Sequence, residues 1–475
     1  MDRYLTTPIY YASGAPHLGH LYTTLLADAY RRYFASSGDD VFVTSGTDEH
    51  GQKIERTAAA AGVDTATFVD ARSHEFRTLW ASLDIPISAF ERTTSDVHKA
   101  GVLAFWQKLE NAGDLYRGRY EGHYCIDCEQ YFTEAGECPV HRRPLTWFAE
   151  DSWFFRLSRY RERLIGHIES NPGFITPDSR RNEVLSFLRN NELRDLSVSR
   201  ASTRWGIPVP GDEAQVIYVW VDALVSYLTA APGRWQNVTH FIGKDILLFH
   251  AVYWPALLWS AGFEPPARIA VNGWLTVSGR KISKSDPATI VDPVEVAGRV
   301  TIDGLKYYFL RTAGLGADID FDEGRLTELV NDELANGLGN LVSRFTRLAT
   351  KHFPSGLPGS TYSDCQASLV SEVAALEAAS FASLDAFDPG AAAAQFATLI
   401  RLLNRTFQQW APWQQSGDEL AASLAATREG LLALCRLGHV FVPDTARKIA
   451  SRIDVDATGS PVITHGDPVF PRVGG

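Results

Sequence analysis

The sequence predicts an α/β domain built on a parallel sheet, split by a short insertion and followed by an all-helical domain. Three observations carry that prediction. Short apolar or aromatic runs alternate with helical patterns up to about residue 115 and again over 205–270. A turn-rich stretch that begins at 116 and holds three of the five cysteines breaks the alternation. After about 325 strand signals mostly vanish and Ala- and Leu-rich helical patterns dominate. The expected parts are therefore 1–115 and 205–270 for the two halves of the α/β domain and 116–204 for the insertion. A loop-rich region over 271–325 and a helical bundle over 326–475 complete the chain.

In order, residues 6–11 read as a strand, and the turn Ser13-Gly14-Ala15-Pro16 leads to His17-Leu18-Gly19-His20. That tetrapeptide opens a helix through about Phe34, with Leu21, Leu25, Leu26 and Tyr30 on one side. Residues 41–44 read as the next strand, and 65–82 and 96–112 as helices. After the insertion, whose residues 151–204 are highly charged, strands resume at 216–218, around Phe241 and at 269–271. Helices are expected over 326–351, 366–387, 391–409 and 418–438, separated by Pro/Gly loops such as 353–359.

Composition bounds the function. The chain has 475 residues, 45% hydrophobic and 21% charged, which fits several globular domains and excludes a disordered, collagen-like or disulfide-miniprotein chain. The net charge of -11 argues mildly, by itself, against a nucleic-acid partner. The charge is uneven, however: residues 340–352 carry 3 basic and no acidic residues, whereas 364–400 carry 5 acidic and no basic ones. The start of the chain lacks a charged-then-apolar signal pattern. The most apolar stretch noted, 246–263, contains His250 and Pro255 and reads as a buried helix rather than a membrane span. Five cysteines, three of them clustered, suit metal chemistry in a reducing cytoplasm. A cytoplasmic location without membrane attachment is the expectation.

Cys125-Ile126-Asp127-Cys128, nine intervening residues and Cys138-Pro139-Val140-His141 give two ligand pairs with the spacing of tetrahedral Zn2+. Thiolates argue against calcium or magnesium, and four protein ligands make the site structural rather than catalytic. The metal would fold a segment too small to own a core.

Two further motifs suit phosphate. His17 and His20 lie three residues apart on one face of a helix start, where backbone N–H groups attract anions and Gly19 lets a flat ring approach. Taken alone, the tetrapeptide is more simply two histidines that bond locally. Lys281-Ile282-Ser283-Lys284-Ser285 supplies point charges and hydroxyl donors on a loop. Taken alone, it is a solvated basic loop.

In this order, and about 260 residues apart, the two motifs resemble the HIGH and KMSKS motifs of class I aminoacyl-tRNA synthetases. Thr7-Pro8-Ile9-Tyr10-Tyr11, Gly46-Thr47-Asp48-Glu49-His50-Gly51, Tyr218-Val219-Trp220-Val221-Asp222-Ala223, Phe241-Ile242-Gly243-Lys244-Asp245 and Val271-Asn272-Gly273 look like those of the methionyl-tRNA synthetases. The resemblance runs from about Arg3 to the C-terminal helices. It implies a Rossmann-type catalytic domain, a zinc-knuckle connective peptide and an anticodon-binding bundle.

The resemblance also implies the sites. Ile9, Tyr11, Asp48, Trp220, Ala223, Tyr227, Phe249, His250 and Trp254 would bind methionine, with Asp48 on its α-ammonium. Core packing is an equal explanation for Phe249 and Trp254. His17, Gly19, His20, Asp245, Lys281, Ser283 and Lys284 would bind ATP with its Mg2+. Asp245 would hold the ribose or shape the pocket floor, and His17, His20, Lys281 and Lys284 would carry catalysis. Asn340, Arg344 and Trp413 would read the anticodon of tRNA(Met). The implied activity is ATP-dependent methionine–tRNA ligation through methionyl-adenylate. No large editing insertion is present, so homocysteine is the predictable misfit. The chain departs from the family at Asp286-Pro287-Ala288-Thr289, where the common continuation is Leu-Gly-Asn. It ends soon after the bundle, so a monomer is expected. Two rivals remain on sequence alone: a paralogue that makes an aminoacyl-adenylate but ignores tRNA, and a non-catalytic zinc and RNA-binding module.

Overall fold

The structure, a computed structural model, describes residues 1–125, 130–132, 135–138, 142–282, 289–312, 314–454 and 462–474, with the backbone alone at 124, 130–132, 148 and 281. It divides into two compact units, one of residues 1–16 and 40–272 and the other of residues 17–39 and 273–475.

The first unit is centred on a six-stranded parallel sheet. Its strands are β1 (Asp2–Tyr11), β2 (Asp40–Asp48), β3 (Ala89–Arg92), β4 (Ile175–Thr176), β5 (Val238–Gly243) and β6 (Arg268–Asn272), in the order β3-β2-β1-β5-β6-β4. The central strands β1 and β5 are buried along most of their length, polar Thr6, Thr7, Thr239 and His240 included, because a parallel sheet is covered on both faces. Strand order reverses between β1 and β5, and in open α/β sheets the crevice beyond the carboxyl ends at that point is the usual ligand site. β4 was not expected: it lies inside the stretch read as an insertion, yet Ile175 and Thr176 pair with Ile269 and Ala270. Two residues are too few to register as a strand by pattern. Elsewhere the described residues of that stretch form an antiparallel sheet, from Gln130–Phe132, Leu115–Cys125, Thr146–Phe155 and Leu196–Ser197, and the helices Arg161–Ser170 and Asp178–Asn190.

The second unit is mainly helical. The helix Leu18–Ser36 belongs to it, as does a small sheet of Arg280–Lys281, Leu275–Val277 and Ile319–Phe321. Asp28, on Leu18–Ser36, is buried against Arg32 and Lys306, and Arg32 donates to the carbonyl of Val440 at 2.9 Å. Burial works against the Asp28 carboxylate, but Arg32, Lys306 and Arg31 outweigh it and hold its pKa below the ordinary value.

The long helices are Asn340–His352, Asp364–Asp385, Pro389–Trp410 and Gly417–Phe441, close to the positions predicted from periodicity. The first expected helix, 326–351, is not uniform. Val330–Gly339 winds as a wider π-helix before Asn340 begins an α-helix. Asp364–Asp385 is long and apolar enough to cross a membrane by length and composition. It buries Leu369, Val373 and Leu384 and packs against Pro389–Trp410 and Gly417–Phe441. The apolar stretch 246–263 is broken into a 3-10 turn, the π-helical Phe249–Tyr253 and the α-helix Trp254–Ser260.

Candidate functional site

Most of the predicted amino-acid residues lie together in the first unit. A register shift between Thr6 and Ile9 re-phases β1, so that Ile9 lies opposite Gly46 and Tyr11 opposite Asp48. Only glycine fits at 46: a Cβ there would sit 2.2 Å from the Glu91 carbonyl oxygen and 2.8 Å from Ile9 Cγ2. Asp48 ends β2 and is buried. Its carbonyl accepts the Ala12 amide at 2.9 Å, which fixes the end of β2 to the chain leaving β1.

The aromatic wall comes from Val219–Thr229 and from the segment after β5. Trp220 and Phe249 stack with centroids 3.7 Å apart and planes 12° apart. Ala223 and Tyr227 follow on the same helix, both buried. Tyr227 Oη lies 2.7 Å from His250 Nε2, and His250 Nδ1 lies 2.9 Å from the Ile246 carbonyl oxygen. A carbonyl only accepts, so Nδ1 carries the proton and Nε2 accepts from the Tyr227 hydroxyl. Burial pushes His250 down to about 4, slightly opposed by its bond to Ile246, so the ring is neutral at pH 7. Burial also raises the Tyr227 phenol well above its ordinary value, with Tyr4, Tyr10 and Asp48 adding to the effect. The side chains of Phe249 and His250 project from a π-helical turn, a distortion often found at functional sites. Trp254 is wholly buried and packs on Phe105, Tyr227 and Trp235, as a core residue would. Asp245 is exposed, and its carboxylate folds over Gly243, where a Cβ would lie 2.6 Å from Oδ1.

Sequence reasoning missed two groups here. His240, on β5, is fully buried, bonds Thr6 Oγ1 through Nδ1 at 2.7 Å, and lies with its ring centroid 4.4 Å from that of Tyr227. Asp222 binds His50 at 2.7 Å and His98 at 2.6 Å. Asp222 and His50 stand inside segments that resemble the family. His98 carries no local signal, because its partners are 124 and 131 residues away.

In the second unit His17 is the N-cap of Leu18–Ser36. Its Nδ1 accepts the Gly19 amide at 3.1 Å, and His20 Nδ1 accepts the His17 amide at 3.2 Å. The rings stack with centroids 3.8 Å apart. Both Nδ1 atoms are acceptors of backbone N–H groups, so each neutral imidazole carries its proton on Nε2, as a phosphate donor requires. Gly19 has a local reason as well: a Cβ would lie 3.0 Å from the His17 ring. The Ile282 side chain, 3.8 Å from that same point, places the start of the lysine motif beside the histidine motif. Lys281 pairs with Thr276 through its backbone. Ser283, Lys284 and residues 286–288 lie outside the described residues.

Of the proposed zinc ligands, Cys125 and Cys138 are described and both are buried thiols. The Cys138 amide donates to the Arg143 carbonyl at 2.8 Å and its carbonyl accepts the Arg142 amide at 2.7 Å, closing a tight turn. Cys128 and His141 lie outside the described residues, and no group of three metal ligands is found among those described. Two buried soft donors, one at a strand end and one at a turn, fit a structural zinc site.

In the bundle Asn340 is exposed at the start of its helix. Arg344 donates to Asn404 Oδ1 at 2.8 Å and lies 5.4 Å over the Phe407 ring, which is 6.4 Å from Trp413. Trp413 is 47% exposed. Asn404 also donates to the Gly337 carbonyl at 3.0 Å, and the sequence held no sign of that role.

The parallel sheet with its helical partner is the fold of a class I tRNA synthetase. A family model described as tRNA synthetases class I (M) matches residues 3–145 and 141–346. A methionine–tRNA ligase of Streptomyces coelicolor is 39% identical over 94% of this chain and 88% of its own length. One of Mesorhizobium japonicum is 39% identical over 96% and 92%. A Mycobacterium tuberculosis methionyl-tRNA synthetase in complex with methionyl-adenylate superposes with a TM-score of 0.94 at 34% identity, over 99% of this chain and 100% of that one. The chain belongs to the methionine-type family of class I tRNA synthetases.

Proposed function

We propose that this ligase activates L-methionine with ATP to methionyl-adenylate and transfers the methionyl group to the 3' end of tRNA(Met). The observation that carries this reading is the chain-long likeness to a synthetase bound to methionyl-adenylate. The neutral Tyr227–His250 pair beside a stacked aromatic wall supports it, since an unbranched thioether packs well on aromatic edges. Ile9, Tyr11, Trp220, Ala223, Phe249 and Trp254 would shape the side-chain pocket, and Asp48 would pair with the α-ammonium.

The methionine carboxylate attacks the α-phosphate of ATP, and pyrophosphate leaves with its Mg2+. The terminal ribose hydroxyl of tRNA then takes the acyl group and AMP departs. Each substrate brings its own nucleophile, so catalysis consists of positioning and stabilisation of phosphate charge. His17 and His20 donate through Nε2, Gly19 leaves room at the helix start, Lys281 and Lys284 neutralise the phosphates, and Ser283 donates a hydrogen bond to them. Asp245 would hold the ribose.

Residues 1–115 and 205–270 are the catalytic halves in this reading, 116–204 the connective peptide, 271–325 the lysine-loop region and 326–475 the anticodon-binding part. Zn2+ would be held by Cys125, Cys128, Cys138 and His141 and would stabilise the connective peptide. Asn340, Arg344 and Trp413 would read unpaired anticodon bases by edge bonds and stacking. The enzyme acts as a cytoplasmic monomer. Methionine-dependent ATP–pyrophosphate exchange, followed by charging of tRNA(Met), tests the proposal. Exchange without charging would favour the adenylate-forming paralogue instead.

A further inference from the structure

We propose that Asp222 is a positioning residue for the amino-acid site, fixing the rotation of Val219–Thr229 through a buried link to His50 and His98. The proposal rests on reading Asp48, Trp220, Ala223 and Tyr227 as the groups that hold methionine. Asp222, His50 and His98 are 1%, 4% and 0% exposed. The Asp222 carboxylate accepts from His50 Nδ1 at 2.7 Å and from His98 Nε2 at 2.6 Å. His98 Nδ1 continues to Thr229 Oγ1 at 2.8 Å, at the far end of the same helix.

The geometry separates two faces of that helix. At 3.6 residues per turn, Trp220, Ala223 and Tyr227 fall within about 60° of one another, and Asp222 and Thr229 lie about 130–150° round the helix from the middle of that face. The pocket face is therefore set by a grip on the opposite side. One end of the grip is His50, two residues after Asp48. The other is His98, on Asp96–Asn111. That helix comes unusually close: a Cβ on Gly101 would lie 2.3 Å from Thr229 Cγ2.

Burial opposes the Asp222 charge, but His50 and His98 outweigh it and hold the carboxyl down at about 2. Aliphatic packing of the same volume would be as stable or more so. It would not, however, supply directional bonds that resist rotation of a helix about its axis.

The test is methionine-dependent ATP–pyrophosphate exchange on the purified full chain. In Asp222→Asn the KM for methionine is expected to rise about tenfold, the effect of one lost hydrogen bond to a charged group, with the KM for ATP little changed. Gly101→Ala, which removes no polar group and presses the helices apart, should raise the methionine KM in the same sense. The two changes together should be less than additive. If Asp222→Asn does not fold, Thr229→Val carries the test, since it keeps the side-chain shape and loses the last bond of the link, together with a long local bond to the Ser226 carbonyl at 3.3 Å. A folded variant with the wild-type methionine KM, or an equal rise for both substrates, overturns the proposal. A wild-type chain with no methionine-dependent exchange overturns the pocket reading and this proposal with it.

Discussion

Replacing Tyr227 with Phe removes one oxygen from a fully buried pair. His250 Nδ1 is committed to the Ile246 carbonyl, so Nε2 loses its only donor in that pair and cannot turn to another. An orphaned buried acceptor costs about 1–3 kcal/mol, and a unit of this size loses roughly 2–4 °C of melting temperature per kcal/mol. The same loss leaves that unpaired acceptor beside the proposed thioether pocket. The methionine KM in pyrophosphate exchange should rise about tenfold, each 1.4 kcal/mol being a factor of ten. The KM for ATP should stay near wild type. Adding His250→Phe removes the orphaned Nε2 acceptor as well and should restore part of the melting temperature, only part because the Ile246 carbonyl then loses the ring N–H it accepts from. Wild-type melting and an unchanged methionine KM in Tyr227→Phe would refute the assignment of donor and acceptor.

Other outcomes follow from the same structure. His250 titrates at about 4 when folded, against an ordinary value of 6.5. Between those values the unfolded chain binds the extra proton, so this stability is full above pH 6.5 and is lost as pH falls toward 4. Urea unfolding should show a loss of up to about 3 kcal/mol over that window. Lys281→Ala should slow adenylate formation far more than it weakens methionine binding, and an unchanged exchange rate would sink that role. Asn404→Ala removes the partner of Arg344 and should raise the tRNA KM in charging while leaving exchange intact. Chelation of zinc should release one equivalent of metal and lower the melting temperature of the first unit, whereas metal-free protein as purified would count against the ligand set.

Much of the fold was legible because its signals are local. β1 shows as an apolar aromatic run, and the helices of the second unit show as 3.6-residue periodicity. β4 was invisible because its two residues gain strand character only from pairing with β6. The π-helical turns at Phe249–Tyr253 and Val330–Gly339 were also hidden, since their apolar patterns read as ordinary helix. In the site, the family-like segments pointed to Tyr227, His250 and Asp48. His98, Thr6 and Asn404 could not be found that way, because each acts through a partner distant in sequence. The histidine motif was read for its ligand, yet its Nδ1 atoms serve the backbone, which fixes the tautomer that the ligand would need.

The central claim is that one chain both activates methionine and delivers it to tRNA. Charging of tRNA(Met) with labelled methionine, in the presence of competing amino acids, tests it most directly. The account predicts acid-precipitable methionine on tRNA that depends on ATP and that a competing amino acid such as homocysteine reduces only in large excess. Pyrophosphate exchange with no label on tRNA, or no exchange at all, would contradict it.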